Sequence, residues 1–368
     1  MSQMSDLLYS DTEEALRDSV RRLLADRCGP DAILSLYDAV RQDFSSVWRT
    51  LAAYLGVAGL LVPENLGGAG ATAREAAVVM EEIGRAVAPV PFLTSSVVAT
   101  VALLKSADTD TVQSLAAGSL TAALAVPLST ASDDPIIGIT TDANGVTGRI
   151  TSVAGVEAAD VLLVPVAGTD GLELHTVARY AAGVDVSPVV SLDMTRPLAN
   201  VEFSGAASSR VDSAGAATAI AAALETGAAL LASEQLGIAQ WCFETTLAYA
   251  KDRKQFGRAI GSYQAIKHRL ADLWVELNSA AAVARYAADT CARQDDDASI
   301  AAAVAQAYCS GAAVHAAEEC VQLHGGLGMT WEYPAHLYLK RAKSDQLAFG
   351  TAYRHRARLA ALVDLPAS

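Results

Sequence analysis

Cysteine is scarce in this chain. There are five, Cys28, Cys242, Cys291, Cys309 and Cys320, and no two stand as a CxxC pair. An odd, scattered set builds neither a disulfide framework nor a zinc knuckle, and it fits a reducing cytosol. Charge is thin as well, at 18% of residues against 52% hydrophobic. Positive charge is shortest: 27 Lys plus Arg face 41 Asp plus Glu, a net −14 over 368 residues. That deficit argues against duplex nucleic acid, where phosphate neutralisation supplies most of the affinity. No uninterrupted apolar run reaches the roughly eighteen residues of a membrane span. The opening MSQMSDLLYSDTEEALRDSV is acidic and polar, unlike a signal peptide. No GxGxxG follows a strand, so a Rossmann site is not expected. No His, Cys or carboxylate spacing calls for a metal. The expectation is a soluble, cytoplasmic protein with neither membrane nor nucleic acid as partner. Its low charge has two readings, an alanine-rich helical core or helix faces covered by other subunits.

What is present falls into three stretches. Residues 11 to about 105 read as helical, with acids at the start of DTEEALRDSVRRLLADRC and Thr72 as the cap of TAREAAVVMEEIGRAV. From about 120 to 210 the text becomes short β-rich runs, such as VLLVPV and LANVEFSG, punctuated by turns such as Asp142-Ala143-Asn144-Gly145. Helix then returns. Leu224, Leu231, Ile238, Cys242 and Tyr249 share one helix face, as do Ile266, Leu270, Leu273 and Leu277. The predicted fold is mainly α with a middle β domain: an N-terminal helical domain over 1–118, a sandwich or barrel over 119–212, and a helical bundle over 213–368. Such an order leaves a crevice between layers.

Two segments could carry chemistry. AYAKDRKQFG brings Arg253 and Lys254 to a helix end, with Gly257 free to take a left-handed cap; Gln264 opens the next helix. Arginine forks and helix N-termini suit diphosphate oxygens. Basic residues at a helix C-terminus are also favourable with no ligand at all, so the segment by itself leaves both readings open. VQLHGGLGMTWEYP ends another helix at Gly325, Gly326 and Gly328, which permit close approach of a ligand. His324 reads as a loop or interface histidine. Trp331, Glu332 and Tyr333 are expected at the helix-bundle interface.

RKQFG…YQAIKHRLAD, QLHGGLGMTWEYP…LYLKRAK and LVPENLGGAGAT…VVMEEIGRAVAPVPF, in that arrangement, resemble the acyl-CoA dehydrogenase family over nearly the whole chain. The resemblance implies an N-terminal α domain, a middle β domain and a C-terminal four-helix bundle. It also implies FAD, a carboxylate that removes the α proton of an acyl-CoA thioester, hydride transfer to the flavin, and an electron-transferring flavoprotein as acceptor. In that family a subunit completes its neighbour's FAD site. Here the matching residues are Arg253, Phe256 and Gly257, then Gln264, then the loop Gln322, Leu323, His324, Gly325 and Gly326. Thr351 matches a Thr that touches the flavin phosphate or ribose.

The chain also departs from the family. Where the family's Glu stands in YEGT this sequence has Phe349, after Ala348, and the alternative Glu position on the first long bundle helix is Gly227. Neither accepts a proton, and a positioned base contributes roughly 10²- to 10⁴-fold. The flavin-gripping segments are altered too: LAVPLSTASDDP and TGRITSVAGVEAAD stand in their places, with Ser129, Thr130 and Ser132 as substitute donors. Motifs serving a neighbour's flavin are kept while those serving the chain's own are missing. That asymmetry resembles the non-catalytic subunit of heteromeric, α2β2 acyl-CoA dehydrogenases of actinobacteria, some acting on CoA esters of steroid side chains. The expected partner is therefore a catalytic acyl-CoA dehydrogenase subunit that holds the acyl-CoA. Two alternatives stand beside this: a self-sufficient homotetramer with a displaced base, Glu225 or Glu234, and a non-enzymatic assembly subunit.

Overall fold

The computed structural model describes residues 7–38, 42–105, 108–212 and 215–365. α1 (Asp11–Arg27) begins at a reciprocal capping box between Ser10 and Glu13, with Asp11, Glu13 and Glu14 in its first turn. α2 (Pro30–Leu34) and α3 (Ser45–Arg49) are short. α4 (Ala73–Ala86) starts at Thr72, as expected, and Glu75 completes the box. A wide π-helical run, Phe92–Ala99, continues into α5 (Thr100–Leu104), and α6 (Thr109–Ala116) closes this helical layer.

Among the described residues eight strands follow: β1 (Ala122–Leu124), β2 (Thr140–Asp142), β3 (Gly145–Ala154), β4 (Val161–Gly168), β5 (Gly171–Ala178), β6 (Val184–Val189), β7 (Leu198–Ala206) and β8 (Ser209–Asp212). They form two sheets of four, in the orders β1-β4-β5-β8 and β2-β3-β7-β6. β1 and β4 run parallel, while the other pairs in these two sheets are antiparallel. Leu162, Val164 and Val166 of β4 pack with Val153, Val201 and Phe203 between the sheets. Leu163, on the other face of β4, joins Phe92 and Leu124 in the main core. Burial on both faces is why VLLVPV is a continuous apolar run instead of an alternating one.

The last third is helical: α7 (Ala216–Asp252), a two-strand ribbon β9 (Lys254–Gln255) and β10 (Arg258–Ala259), then α8 (Gln264–Arg293), α9 (Ala298–His324), α10 (Ala335–Leu347) and α11 (Ala352–Leu362). Ala229 and Ala232 of α7, Ala280 and Ala284 of α8, and Ala302 and Ala305 of α9 form one buried cluster. Methyl-sized side chains let helix axes approach closely. α7 and the run Ala298–Met329 are long and apolar enough to cross a membrane by length and composition, but 67% of the apolar window of each is buried inside the fold. Their apolar residues serve the core.

A buried ion network fastens the sandwich to the bundle. Arg196, in the loop before β7, grips Glu234 of α7 at 2.8 and 2.7 Å and also bonds Asp345 of α10. Arg341 of α10 reaches Glu234 at 2.5 Å, and Thr195 accepts from it at 2.7 Å. Burial and the charge of Glu234 push Asp345 well above the usual carboxylate range. Burial would raise Glu234 too, but Arg196 and Arg341 outweigh it and hold that carboxyl low.

Candidate functional site: a basic hairpin and a sealed pocket

The first group of residues gathers at one end of the bundle. Ala250 of α7, Leu270 of α8 and Leu323 of α9 pack together with Ile260 and Ile266. The His324 ring stacks on Tyr249 with centroids 4.3 Å apart. These contacts bring the hairpin after α7, the start of α8 and the Gly325–Gly326 turn to a common surface. Arg253, Lys254, Arg258, Gln264, Lys267 and Gln322 are all exposed there. Among the described residues nothing pairs with the Arg253 guanidinium, whereas Arg258 lies 3.8 Å over the Tyr263 ring. A free guanidinium on an acidic chain is available to an anion from outside.

The backbone of this segment differs from the helix cap expected at Gly257. α7 ends at Asp252, and Arg253 is extended at φ −64 and ψ 124. Gln255 pairs with Arg258, so Phe256 and Gly257 form the two-residue turn of a hairpin. Their φ values are 51 and 78, the double left-handed geometry of a type I′ turn. Asn-Gly is the usual solution. A bulky residue at the first position is strained, and the Phe256 side chain is 93% exposed. Strain and exposure together present an aromatic ring outward.

The second helix end divides. Gly325 and Gly326 are exposed, and a Cβ at either would meet nothing within 4 Å. Gly328 instead lies against its own helix, where a Cβ would stand 2.4 Å from the Val321 carbonyl oxygen. The side chains of Leu323 and His324 turn inward. His324 donates from Nδ1 to the Cys320 carbonyl at 2.6 Å, and Tyr333 Oη donates to Nε2 at 2.6 Å. With both nitrogens used, His324 is a core histidine and not the loop histidine the sequence suggested. What these two residues offer a ligand is main chain only. Of Trp331, Glu332 and Tyr333, Tyr333 bonds His324 of α9 and Trp331 stacks on His336 of α10 with centroids 4.6 Å apart. Trp331 also meets Tyr37 of the N-terminal layer edge-on at 5.5 Å, and Glu332 is exposed.

The second group lies where the helical layer, sandwich and bundle meet. A Cβ placed on Gly227 would meet Phe349 Cζ at 3.0 Å and Val98 Cγ2 at 3.0 Å. The two positions at which the resemblance expects a carboxylate therefore face each other across one small space. Phe349 is 4% exposed. Its N–H donates to the Leu128 carbonyl at 2.8 Å, and its φ of 54 is left-handed. The cavity beside its ring measures about 20 Å³ and is lined by Thr94, Leu124, Val126, Leu128, Leu224 and other apolar groups, with no acid. That volume holds about one water molecule and no thioester.

The acids proposed from sequence as displaced bases are committed elsewhere. Glu234 is fully buried between Arg196 and Arg341. Glu225 bonds Arg358 and accepts from Ser299 at 2.8 Å. The loop that replaces a flavin-gripping segment is strapped down as well. Arg354 reaches Asp134 at 2.6 Å and Asp133 at 3.3 Å, and Arg358 donates to Ser132 at 2.6 Å. Ser129 is exposed and Thr130 half-buried in the same loop. Thr351 is the N-cap of α11, with its hydroxyl accepting from Arg354 N at 3.4 Å. Sequence reading missed the Arg196, Arg341 and Asp345 network. Its only signal was Arg341 of LYLKRAK standing four residues before Asp345, the spacing of a helical ion pair.

Residues 10–114 match the family model "Acyl-CoA dehydrogenase, N-terminal domain", and residues 214–363 match "Acyl-CoA dehydrogenase, C-terminal domain". Acyl-CoA dehydrogenase IpdE2 of Mycolicibacterium smegmatis is 35% identical over 354 residues, covering 96% of this chain and 99% of that protein. The ChsE4–ChsE5 complex of Mycobacterium tuberculosis contains a chain that superposes with a TM-score of 0.86 at 26% identity, covering 99% of this chain and 100% of that one. A second two-protein structure, the "steroid ACAD" Tcur3481–Tcur3483, matches with a TM-score of 0.83 at 27% identity over 96% of this chain and 98% of that one. The chain belongs to the acyl-CoA dehydrogenase family, oxidoreductases whose cofactor is FAD. Solved structures with FAD share the fold, among them one with a TM-score of 0.86 at 21% identity.

Proposed function

We propose that this chain is the non-catalytic subunit of a heteromeric acyl-CoA dehydrogenase, and that it completes the FAD site of a catalytic partner. The observation that carries the reading is the contact between Phe349 and Gly227. Both family positions for the base lack a carboxylate, and the space between them is filled by a phenyl ring in an acid-free pocket. At the other end of the bundle, the donors that would serve a neighbour are exposed. Arg253 would neutralise diphosphate, Gln264 and Gln322 would donate amide hydrogens, and the Gly325–Gly326 backbone would allow close approach. FAD held there would supply the hydride acceptor for oxidation of the thioester. This chain's part is to hold and orient that cofactor, while the partner supplies the proton acceptor and the acyl-CoA site. The straps from Arg354 and Arg358 fit a chain whose own flavin groove is closed, so the expected content is one flavin per two chains. Two relatives solved as two-protein assemblies, ChsE4–ChsE5 and the steroid ACAD Tcur3481–Tcur3483, support an α2β2 partnership and a steroid-derived CoA thioester as substrate. A cytoplasmic location and an electron-transferring flavoprotein as acceptor complete the proposal.

The test is to purify the chain alone and together with a Glu-bearing acyl-CoA dehydrogenase encoded beside it. Flavin per chain and thioester oxidation are then measured. Colourless protein alone and a yellow, active complex are expected. A yellow, active homotetramer would overturn the proposal, and a colourless chain that no partner activates would leave only an assembly role.

A further inference from the structure

A third group of reactive side chains lies on the sandwich and takes no part in either site described above. Glu173 and His175 stand two apart on β5, so both point to the same face of the sheet. Ser208 and Arg210 keep the same spacing where the chain enters β8. The pairing of β5 with β8 shifts register between Leu174 and His175, and Arg210 stands opposite His175. Irregularities of this kind re-aim side chains at a sheet edge, and here the four polar groups meet.

Their hydrogen bonds run in one direction. The Glu173 carboxyl is held below the usual carboxylate range by its bond to His175 and by Arg210, whose guanidinium reaches Oε1 at 3.2 Å. An ionised carboxylate only accepts, so His175 Nε2 donates to Glu173 Oε2 at 2.9 Å. In the neutral ring the lone pair is then on Nδ1, and Ser208 Oγ donates to it at 3.0 Å. His175 is 7% exposed, while Ser208 is half-buried. Gly168 leaves room for the carboxylate, since a Cβ there would stand 2.6 Å from Glu173 Oε1. A hydroxyl bonded to a base that a third group orients is the arrangement of an activated nucleophile. A clasp between β5 and β8 would need only the Glu173–Arg210 pair, which already joins them.

We propose that Ser208 is an acyl-accepting nucleophile for small carboxylic esters, with His175 as its general base and Glu173 as a positioning residue. Ser208 Oγ attacks the acyl carbonyl while its proton passes to His175 Nδ1. The bond from the acyl carbon to the leaving oxygen breaks, and that oxygen takes the proton from His175. The product is an acyl ester on Ser208, and no electron acceptor is needed. A serine at a strand end on the surface suits a short acyl group. The site is independent of the FAD role proposed above, since it uses none of the hairpin residues.

The full-length chain is treated with a fluorophosphonate and, separately, with p-nitrophenyl acetate. Peptide mass spectrometry locates the label, and absorbance follows p-nitrophenolate. Label on Ser208 and a burst of about one p-nitrophenolate per chain are expected. Ser208→Ala should lose both and keep the urea midpoint of the wild type. His175→Gln should slow labelling about 10²- to 10⁴-fold, the contribution of a positioned base. Glu173→Gln should slow it too, with Glu173→Asp recovering part of the rate, whereas Arg253→Ala should leave it unchanged. Where His175→Gln lowers the urea midpoint, the comparison of the two Glu173 variants decides, because both keep the ring. No label on Ser208, or labelling indifferent to His175→Gln and Glu173→Gln alike, would overturn the proposal and leave a structural clasp.

Discussion

Replacing Arg253 with Ala separates a cofactor role from a structural one. The side chain is exposed and has no partner among the described residues, so its removal strands no buried acid there. Surface changes of that kind cost within about 0.5 kcal/mol of fold stability. A charge-assisted contact to a diphosphate contributes about 1.5–3 kcal/mol. At about 1.4 kcal/mol per decade, flavin affinity in the complex should fall roughly tenfold to a hundredfold. The assay is flavin retained by the purified two-subunit complex after gel filtration, with urea midpoints of the isolated variant as the control. Raising the salt should narrow the gap between wild type and variant, because exposed charge is screened. An unchanged flavin content at low salt would refute the assignment. So would a loss of flavin matched by an equal loss of stability in the isolated chain, since that outcome belongs to a structural residue.

Other perturbations bear on the same reading. Phe349→Ala should destabilise the chain by about 3–5 kcal/mol through the cavity it opens, seen in urea unfolding, and should confer no dehydrogenase activity because no acid borders the space. Phe256→Asn should relieve left-handed strain and raise the stability of the isolated chain by about 1 kcal/mol. The same change should weaken flavin retention in the complex, since the outward ring is lost; improved retention would sink the idea that the ring is presented to a partner. Asp345 is held protonated in the fold above the pH at which the unfolded chain ionises. Its contribution is therefore complete at low pH and declines as pH rises above the ordinary carboxylate range. Asp345→Asn should flatten the fall in melting temperature between pH 5 and pH 8, measured by calorimetry. An identical slope in the variant would mean that Asp345 is ionised throughout.

Much of the architecture was legible because it rests on local rules. The apolar spacing of Leu224, Leu231, Ile238 and Cys242 needs only the period of a helix to predict one buried face. Thr72 followed by Glu75 is a cap whose energetics close within one turn. The hairpin at Arg253 was less legible. Phe-Gly is a poor type I′ pair by propensity, so the stretch reads as a helix end with a glycine cap. His324 was unreadable for another reason: its partners Tyr249 and Tyr333 lie on different segments, and only packing reveals that both ring nitrogens are satisfied. Arg196 gives no signal in sequence, because its acids stand on two distant helices.

By itself, then, the order of residues determined the three stretches, the caps and turns, the basic segment and the absence of a carboxylate at positions 349 and 227. These follow from composition, short periodicities and side-chain chemistry, which act within a few residues. Tertiary structure alone decided that Phe349 fills the space opposite Gly227, that Glu234 is locked between two arginines, and that Arg253 stands at the surface unpaired among the described residues. Those outcomes depend on which distant segments share one volume, and long-range packing selects among arrangements that local rules leave equally allowed.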